Sequence, residues 1–218
     1  MSQLLKIDFI SDISCPWCAI GLAALQQAIA RLPAAVPVSL RLQPFELAPE
    51  LPVGGESLAD MLTRKYGSTP EQQAQVYATL RLRGAEVGFE FAPVSRDRIY
   101  QTLKAHRLLH WAGEQGQAPQ RALKMALLQA YFTRGENPSD DTVLLRAVEA
   151  AGLETERARA ILASDEYTPQ VRERQRFYTQ AGISAVPSVI INDQHLVQGG
   201  QPPEVFEQAL RQVAAQVA

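Results

Sequence analysis

Apolar residues alternate or run together near both ends of the chain. Through the middle they recur every three to four positions. Leu4, Leu5, Ile7, Phe9 and Ile10 predict a first strand over 4–10. Ile20, Leu22, Leu25, Ile29 and Leu32 spread as on a helix, which Pro33 ends. Val38, Leu40 and Leu42 alternate within 36–45 and predict a second strand, parallel to the first after a right-handed crossover. A link bearing Pro49, Pro52 and two glycines follows. Helical spacing then covers 57–66, 70–84, 96–113, 118–134, 139–151 and 154–163, with no strand signal among them. Residues 84–93 read as a glycine-punctuated loop with Phe89 and Phe91 as anchors. A helix over 166–181 ends at Gly182. Residues 188–191 and 195–198 form a hairpin over Asn192-Asp193-Gln194, and a last helix runs from Pro203 to Val217. Proline donates nothing to a sheet ladder, so Pro187 stands at the start of its strand.

The resulting order is β-α-β, a helical insertion, then α-β-β-α. This predicts an α/β thioredoxin-like fold with a mixed sheet and a large all-helical insertion. The expected division is a discontinuous domain of residues 1–49 and 166–218, with residues 50–165 as the insertion. The 218 residues, 46 % of them hydrophobic, suffice for that core. A net charge of −2 suggests neither a nucleic-acid surface nor a polybasic membrane patch. Residues 1–10 lack the layout of an export signal, and no apolar run nears the roughly 20 residues that span a bilayer. The expectation is therefore a soluble, cytoplasmic protein.

Candidate chemistry concentrates where the first strand turns into the first helix. Both cysteines of the chain, Cys15 and Cys18, lie there as a C-x-x-C beside a βαβ pattern, which reads as a redox motif. Their spacing lets two thiols close into a small disulfide ring and reopen. Unpaired N–H groups and the positive dipole end at a helix N-terminus favour a thiolate on Cys15, while Cys18 is the more buried partner, placed to resolve a mixed disulfide. Pro16 suits a first helical turn. A structural zinc site needs four ligands, which two cysteines and three distant histidines do not supply, so no metal is expected. An inert disulfide closing so short a loop constrains the unfolded chain little. Asp12 reads as a loop acid bonded to local N–H groups, ahead of a role in modulating the thiols. Trp17 belongs to the surface around the thiols, where it contacts substrate or packs on the insertion.

Cys15-Pro16-Trp17-Cys18 after a strand, a helical insertion and Ala185-Val186-Pro187 before a hairpin resemble the DsbA-like thioredoxin superfamily. Pro44-Phe45-Glu46-Leu47, Ala105-His106-Arg107-Leu108, Gly182-Ile183 and Gly199-Gly200-Gln201-Pro202 narrow the resemblance to its FrnE-like branch. That branch lies near 2-hydroxychromene-2-carboxylate isomerases and kappa-class glutathione transferases. The resemblance implies Cys15 as nucleophile, Cys18 as resolving thiol and Pro187 as a cis-proline facing them. It also implies that the backbone of Val186 holds an extended peptide or glutathione. The transferase and isomerase relatives carry serine where Cys15 stands, so Cys15 argues for thiol–disulfide exchange. Gly200 replaces an alanine usual among relatives, a minor departure.

His106 and His110 share a helix face. His106 falls in a family mark and is a candidate substrate-site residue; His110 reads as a structural histidine and Arg107 as a solvated surface charge. The main expectation is a thiol:disulfide oxidoreductase acting on protein or glutathione thiols and disulfides, with no cofactor and glutathione as a possible co-substrate. The resemblance leaves room for a homodimer. The alternatives are a glutathione-dependent transferase or isomerase and a chaperone-like peptide-binding module.

Overall fold

The computed structural model describes residues 4–52 and 54–216. Strand β1 (Leu5–Ser11) runs through the middle of a four-stranded sheet ordered β2-β1-β5-β6. It pairs in parallel with β2 (Val38–Pro44), Ile7 opposite Leu40, across the crossover helix α1 (Pro16–Ala30). On its other side it pairs antiparallel with β5 (Ser188–Ile191), which turns back into β6 (His195–Gln198). Asn192 and Asp193 take positive φ angles of 51° and 60° at the centre of a tight turn that Gln194 N–H closes on Ile191 C=O at 3.2 Å. Strand β1 is almost wholly buried, as a central strand covered on both faces should be. Helices α1 and α9 (Pro203–Gln216) cover one face, burying Leu22, Leu25, Phe206 and Leu210 against Leu5, Ile7 and Phe9.

Between β2 and β5 lie α2 (Leu58–Tyr66), α3 (Pro70–Glu86), α4 (Leu103–Gln115), α5 (Gln117–Phe132), α6 (Asp141–Ala150), α7 (Thr155–Leu162) and α8 (Thr168–Gln180). The chain thus has the predicted thioredoxin-like fold with a large helical insertion. Two details differ from the sequence reading. Glu56–Ser57 and Arg98–Ile99 form a two-stranded antiparallel ribbon, β3 and β4, so the insertion is not all helix. The helix expected from Arg96 therefore starts only at Leu103. Two-residue strands are too short to show a period of two, and their register is set by tertiary contacts such as the Arg98 guanidinium donating to the carbonyls of Gly54 and Gly55.

Helices α4 to α7 enclose a second apolar core around Leu108, Leu123, Leu127, Leu144 and Ile161. Ile13, from the loop after β1, belongs to this core and ties the loop to the insertion. The open edge of β2 is capped by side chains of α5. Gln117 Oε1 accepts from Leu40 N–H at 2.9 Å, and Gln120 bonds both Leu42 N–H and Leu42 C=O. Covering an edge in this way satisfies its free backbone groups. It also carries α5 to within reach of the first-helix N-terminus. Among the described residues no helix is long and apolar enough to cross a membrane.

Candidate active site

Strand β1 delivers the loop Asp12-Ile13-Ser14 to the N-terminus of α1. Cys15 is the N-cap, extended at φ −90° and ψ 113°, and Pro16 takes the first helical turn, where a missing N–H costs nothing. The Cys18 N–H donates to the Cys15 carbonyl at 3.1 Å. Both thiols are free and buried, Cys15 4 % exposed and Cys18 0 %. The Cys15 thiol donates to the carbonyl oxygen of Val186, with Sγ and O 3.5 Å apart. The Val186–Pro187 peptide bond is cis.

Small residues let these pieces meet. A Cβ on Gly21 would stand 3.1 Å from Pro187 Cγ, and one on Gly200 would stand 3.0 Å from the Trp17 carbonyl oxygen. Glycine at both positions lets α1 lie against the two turns that frame the thiols. Half-buried Trp17 rests against Gly200 and the main core, to which the insertion contributes Phe89, Phe91 and Tyr131. Gly200 is thus a close-contact position, more constrained than its replacement of an alanine suggested.

Asp12 does more than bond its own loop. One carboxylate oxygen accepts from Ser14 Oγ at 2.6 Å and Leu47 N–H at 2.8 Å. The other accepts from Thr102 Oγ1 at 2.7 Å and Ser14 N–H at 3.3 Å, and lies 3.4 Å from His106 Nε2. Burial pushes the Asp12 carboxyl up, but the hydrogen bond and charge of His106, with the Leu47 and Ser14 donors, outweigh it and hold the group at about 2. Asp12 is therefore an ionised carboxylate sealed beneath the cysteine loop.

Two further cations approach from the insertion, and sequence reasoning missed both. Lys124, on α5, is 1 % exposed; burial draws its amine down to about 8, against the pull of Cys18, Asp12 and Cys15. Burial and then the neighbouring Cys15 push the Cys18 thiol well up, with Lys124 acting in the opposite direction. Arg96 donates to the Ser14 carbonyl at 3.2 Å and lies 4.5 and 4.6 Å over the rings of Tyr131 and Phe132. Its Nε is buried without a hydrogen-bond partner among the described residues.

The structure thus brings together Cys15, Pro16, Trp17, Cys18, Val186 and Pro187, and joins His106 to them through Asp12. It does not bring His110 there: that ring lies 5.1 Å from the Tyr167 ring and 3.9 Å from Glu114, and burial lowers its basicity. Arg107 is not a surface charge. It is 4 % exposed, and its guanidinium donates to the carbonyls of Ile161, Ser164 and Glu166. Among the described residues no cluster of three or more His, Cys, Asp or Glu side chains could hold a metal ion.

The profile of DSBA-like thioredoxin domains matches residues 6–211, a span that holds both the cysteine pair and the cis-proline turn. The chain belongs to this family. It is similar to the probable DsbA oxidoreductase of Streptomyces coelicolor, at 33 % identity and a TM-score of 0.89, over 98 % of this chain and 91 % of that one. It is 27 % identical to YwbO of Bacillus subtilis, an uncharacterized protein, over 94 % of each. The cytosolic disulfide reductase DsbM of Pseudomonas aeruginosa, solved with glutathione, shares the fold at 15 % identity and a TM-score of 0.66, covering 96 % of this chain and 99 % of DsbM. At the general level that family membership carries, the chain is a thiol oxidoreductase of the DsbA kind.

Proposed function

We propose that the chain catalyses thiol–disulfide exchange with Cys15 as nucleophile and Cys18 as resolving thiol. The observation that carries this reading is the placement of Cys15: N-cap of α1, its Sγ 3.5 Å from Val186 O beside cis-Pro187, with Cys18 sealed behind it. In this reading the Cys15 thiolate attacks a substrate disulfide, and one substrate sulfur leaves as a thiol. Cys18 then attacks Cys15, freeing the second sulfur and leaving a Cys15–Cys18 disulfide. An extended peptide or glutathione lies along the backbone of Val186 and over Pro16 and Trp17, held by main-chain groups. Arg96, Asp12 and His106 set the geometry of the loop beneath. Glutathione, which DsbM was solved with, suits both as a small substrate and as the thiol that returns the pair to its reduced form. Such recycling fits a reducing, cytoplasmic setting.

The deciding experiment equilibrates the pair against glutathione buffers and traps the thiols. A reversible two-electron couple between about −270 and −120 mV is expected, lost in Cys15→Ser together with insulin reduction. Full insulin reduction by Cys15→Ser would overturn the assignment.

A further inference from the structure

A fully buried lysine is costly, because its ammonium must leave water. Lys124 is such a residue. It is 1 % exposed, and burial draws its amine down. It does not serve the α5 contact with β2, which Gln117 and Gln120 make. Its helix shares the main core with α1 through Leu128 and Tyr131, and Cys18, Asp12 and Cys15 are the groups that act on its charge.

Lys124 also lines a cleft of about 490 Å³ outside the β2 edge, shared with His106 and Gln120 at its inner end. Arg41 from β2, Arg174 from α8 and His110 from α4 stand along its walls, and Glu114 is the acid among its lining residues. Arg41 is tied to Asp8 at 2.8 Å, and Glu114 receives the Tyr167 hydroxyl at 2.7 Å. The cleft therefore leads from solvent to the buried Lys124.

We propose that Lys124 is the base that takes the Cys18 proton when Cys18 resolves the mixed disulfide, and that the β2-edge cleft is where this proton leaves. The proposal rests on the exchange reading above. In the mixed disulfide between Cys15 and a substrate sulfur, the Cys18 proton passes to the neutral Lys124 amine. The Cys18 thiolate attacks Cys15 Sγ. The Cys15–Cys18 bond forms as the bond from Cys15 to the substrate sulfur breaks, and that sulfur leaves with the electron pair as a thiolate. The enzyme dithiol is oxidised by two electrons and the substrate disulfide reduced. Lys124 then returns its proton to water in the cleft.

Other groups near Cys18 suit this step less. Asp12, held at about 2, is too weak a base to accept a thiol proton, and His106 directs Nε2 at Asp12. An amine drawn to about 8 is far better matched to the task.

The test uses 5,5′-dithiobis(2-nitrobenzoate) with the reduced full-length protein in stopped flow. Attack by Cys15 releases one coloured thiolate and resolution by Cys18 releases the second, so the two steps are read separately. Cys18→Ala, which should show the first phase alone, assigns them. Lys124→Met and Lys124→Arg should slow the second phase at least about tenfold more than the first. The wild-type second phase should rise with pH through about 8. In Lys124→Met that rise should move to higher pH. Lys124→Ala should be slow and regain speed with added methylamine, which the cleft can admit. A second phase matching wild type in rate and pH profile in the folded Met and Arg variants overturns the proposal. Loss of the first phase in the wild type would instead overturn the role of Cys15.

Discussion

His106 Nε2 stands 3.4 Å from Asp12 Oδ1, although 94 residues separate the two in the chain and both are buried. The contact fastens α4 of the insertion to the loop that carries Cys15, and Thr102 strengthens it from the same helix end. Asp12 is therefore a structural centre of the site.

Replacing that charge should show in the pH dependence of stability. The folded carboxyl sits at about 2, below its ordinary 3.8. A depressed carboxyl stabilises the fold above its unfolded value, and the contribution is lost as pH falls through the folded one. Asp12→Asn should lower the unfolding free energy at pH 7 by about 2 kcal/mol. The gap to wild type should narrow as pH falls below about 4 toward about 2. Urea unfolding across that range checks it, and a gap that stays constant with pH would refute it.

The two thiols should react in a fixed order. Cys18 is fully sealed and its thiol is pushed well up, whereas Cys15 lies at the helix end with some exposure. Limited iodoacetamide at pH 8 should place the label on Cys15 well before Cys18, because reactivity follows thiolate and access. Peptide mass spectrometry reads the order directly, and equal labelling at early times would contradict the asymmetry.

The part of this site that was legible in the sequence is the part whose spacing is local. A C-x-x-C between a strand and a helix has one simple geometry, and a proline before four β-branched or small residues marks a strand start. The partners from the insertion were not legible. Lys124 lies in a helix where an isolated charge reads as solvent-facing, and only the packing of α5 across the β2 edge turns it inward. Arg107 looked the same, yet its fork finds three carbonyls at the end of α7 and the turn after it. Contacts that close loops of 80 to 100 residues, such as Ser14 with Arg96 or Asp12 with His106, leave no periodic trace. The thiol surroundings therefore depend on tertiary contacts that the motif does not specify.

Gly200 should resist enlargement. Its missing side chain leaves room for the Trp17 backbone, where a Cβ would stand 3.0 Å from the carbonyl oxygen and 3.3 Å from the indole ring. Valine there must push α1 or the indole aside, an overpacking that costs about 1–3 kcal/mol. Gly200→Val should lower the melting temperature and alter the emission of Trp17 as it loses its seat. An unchanged melting temperature and spectrum would show that the turn can move freely.

Arg107 should prove to be a structural keystone of the insertion, remote from the thiol chemistry. Its guanidinium meets the carbonyls of Ile161, Ser164 and Glu166 while 4 % exposed, closing the C-terminal end of α7 where helix carbonyls lack partners. Alanine would take this donor from the Ser164 and Glu166 carbonyls, leave Ile161 with the Ser164 donors alone, and empty the space the buried guanidinium fills, a loss of about 1–3 kcal/mol. Lysine should recover little of it, because one ammonium cannot reproduce a planar fork reaching three oxygens. Arg107→Ala and Arg107→Lys are therefore both expected to lower the unfolding free energy measured in urea. The folded fraction of each should keep the wild-type rate for the first phase of the disulfide reaction, since no bond from Arg107 reaches the cysteine loop. Full stability in the lysine variant would mean that charge alone, rather than the fork, holds this end of the insertion.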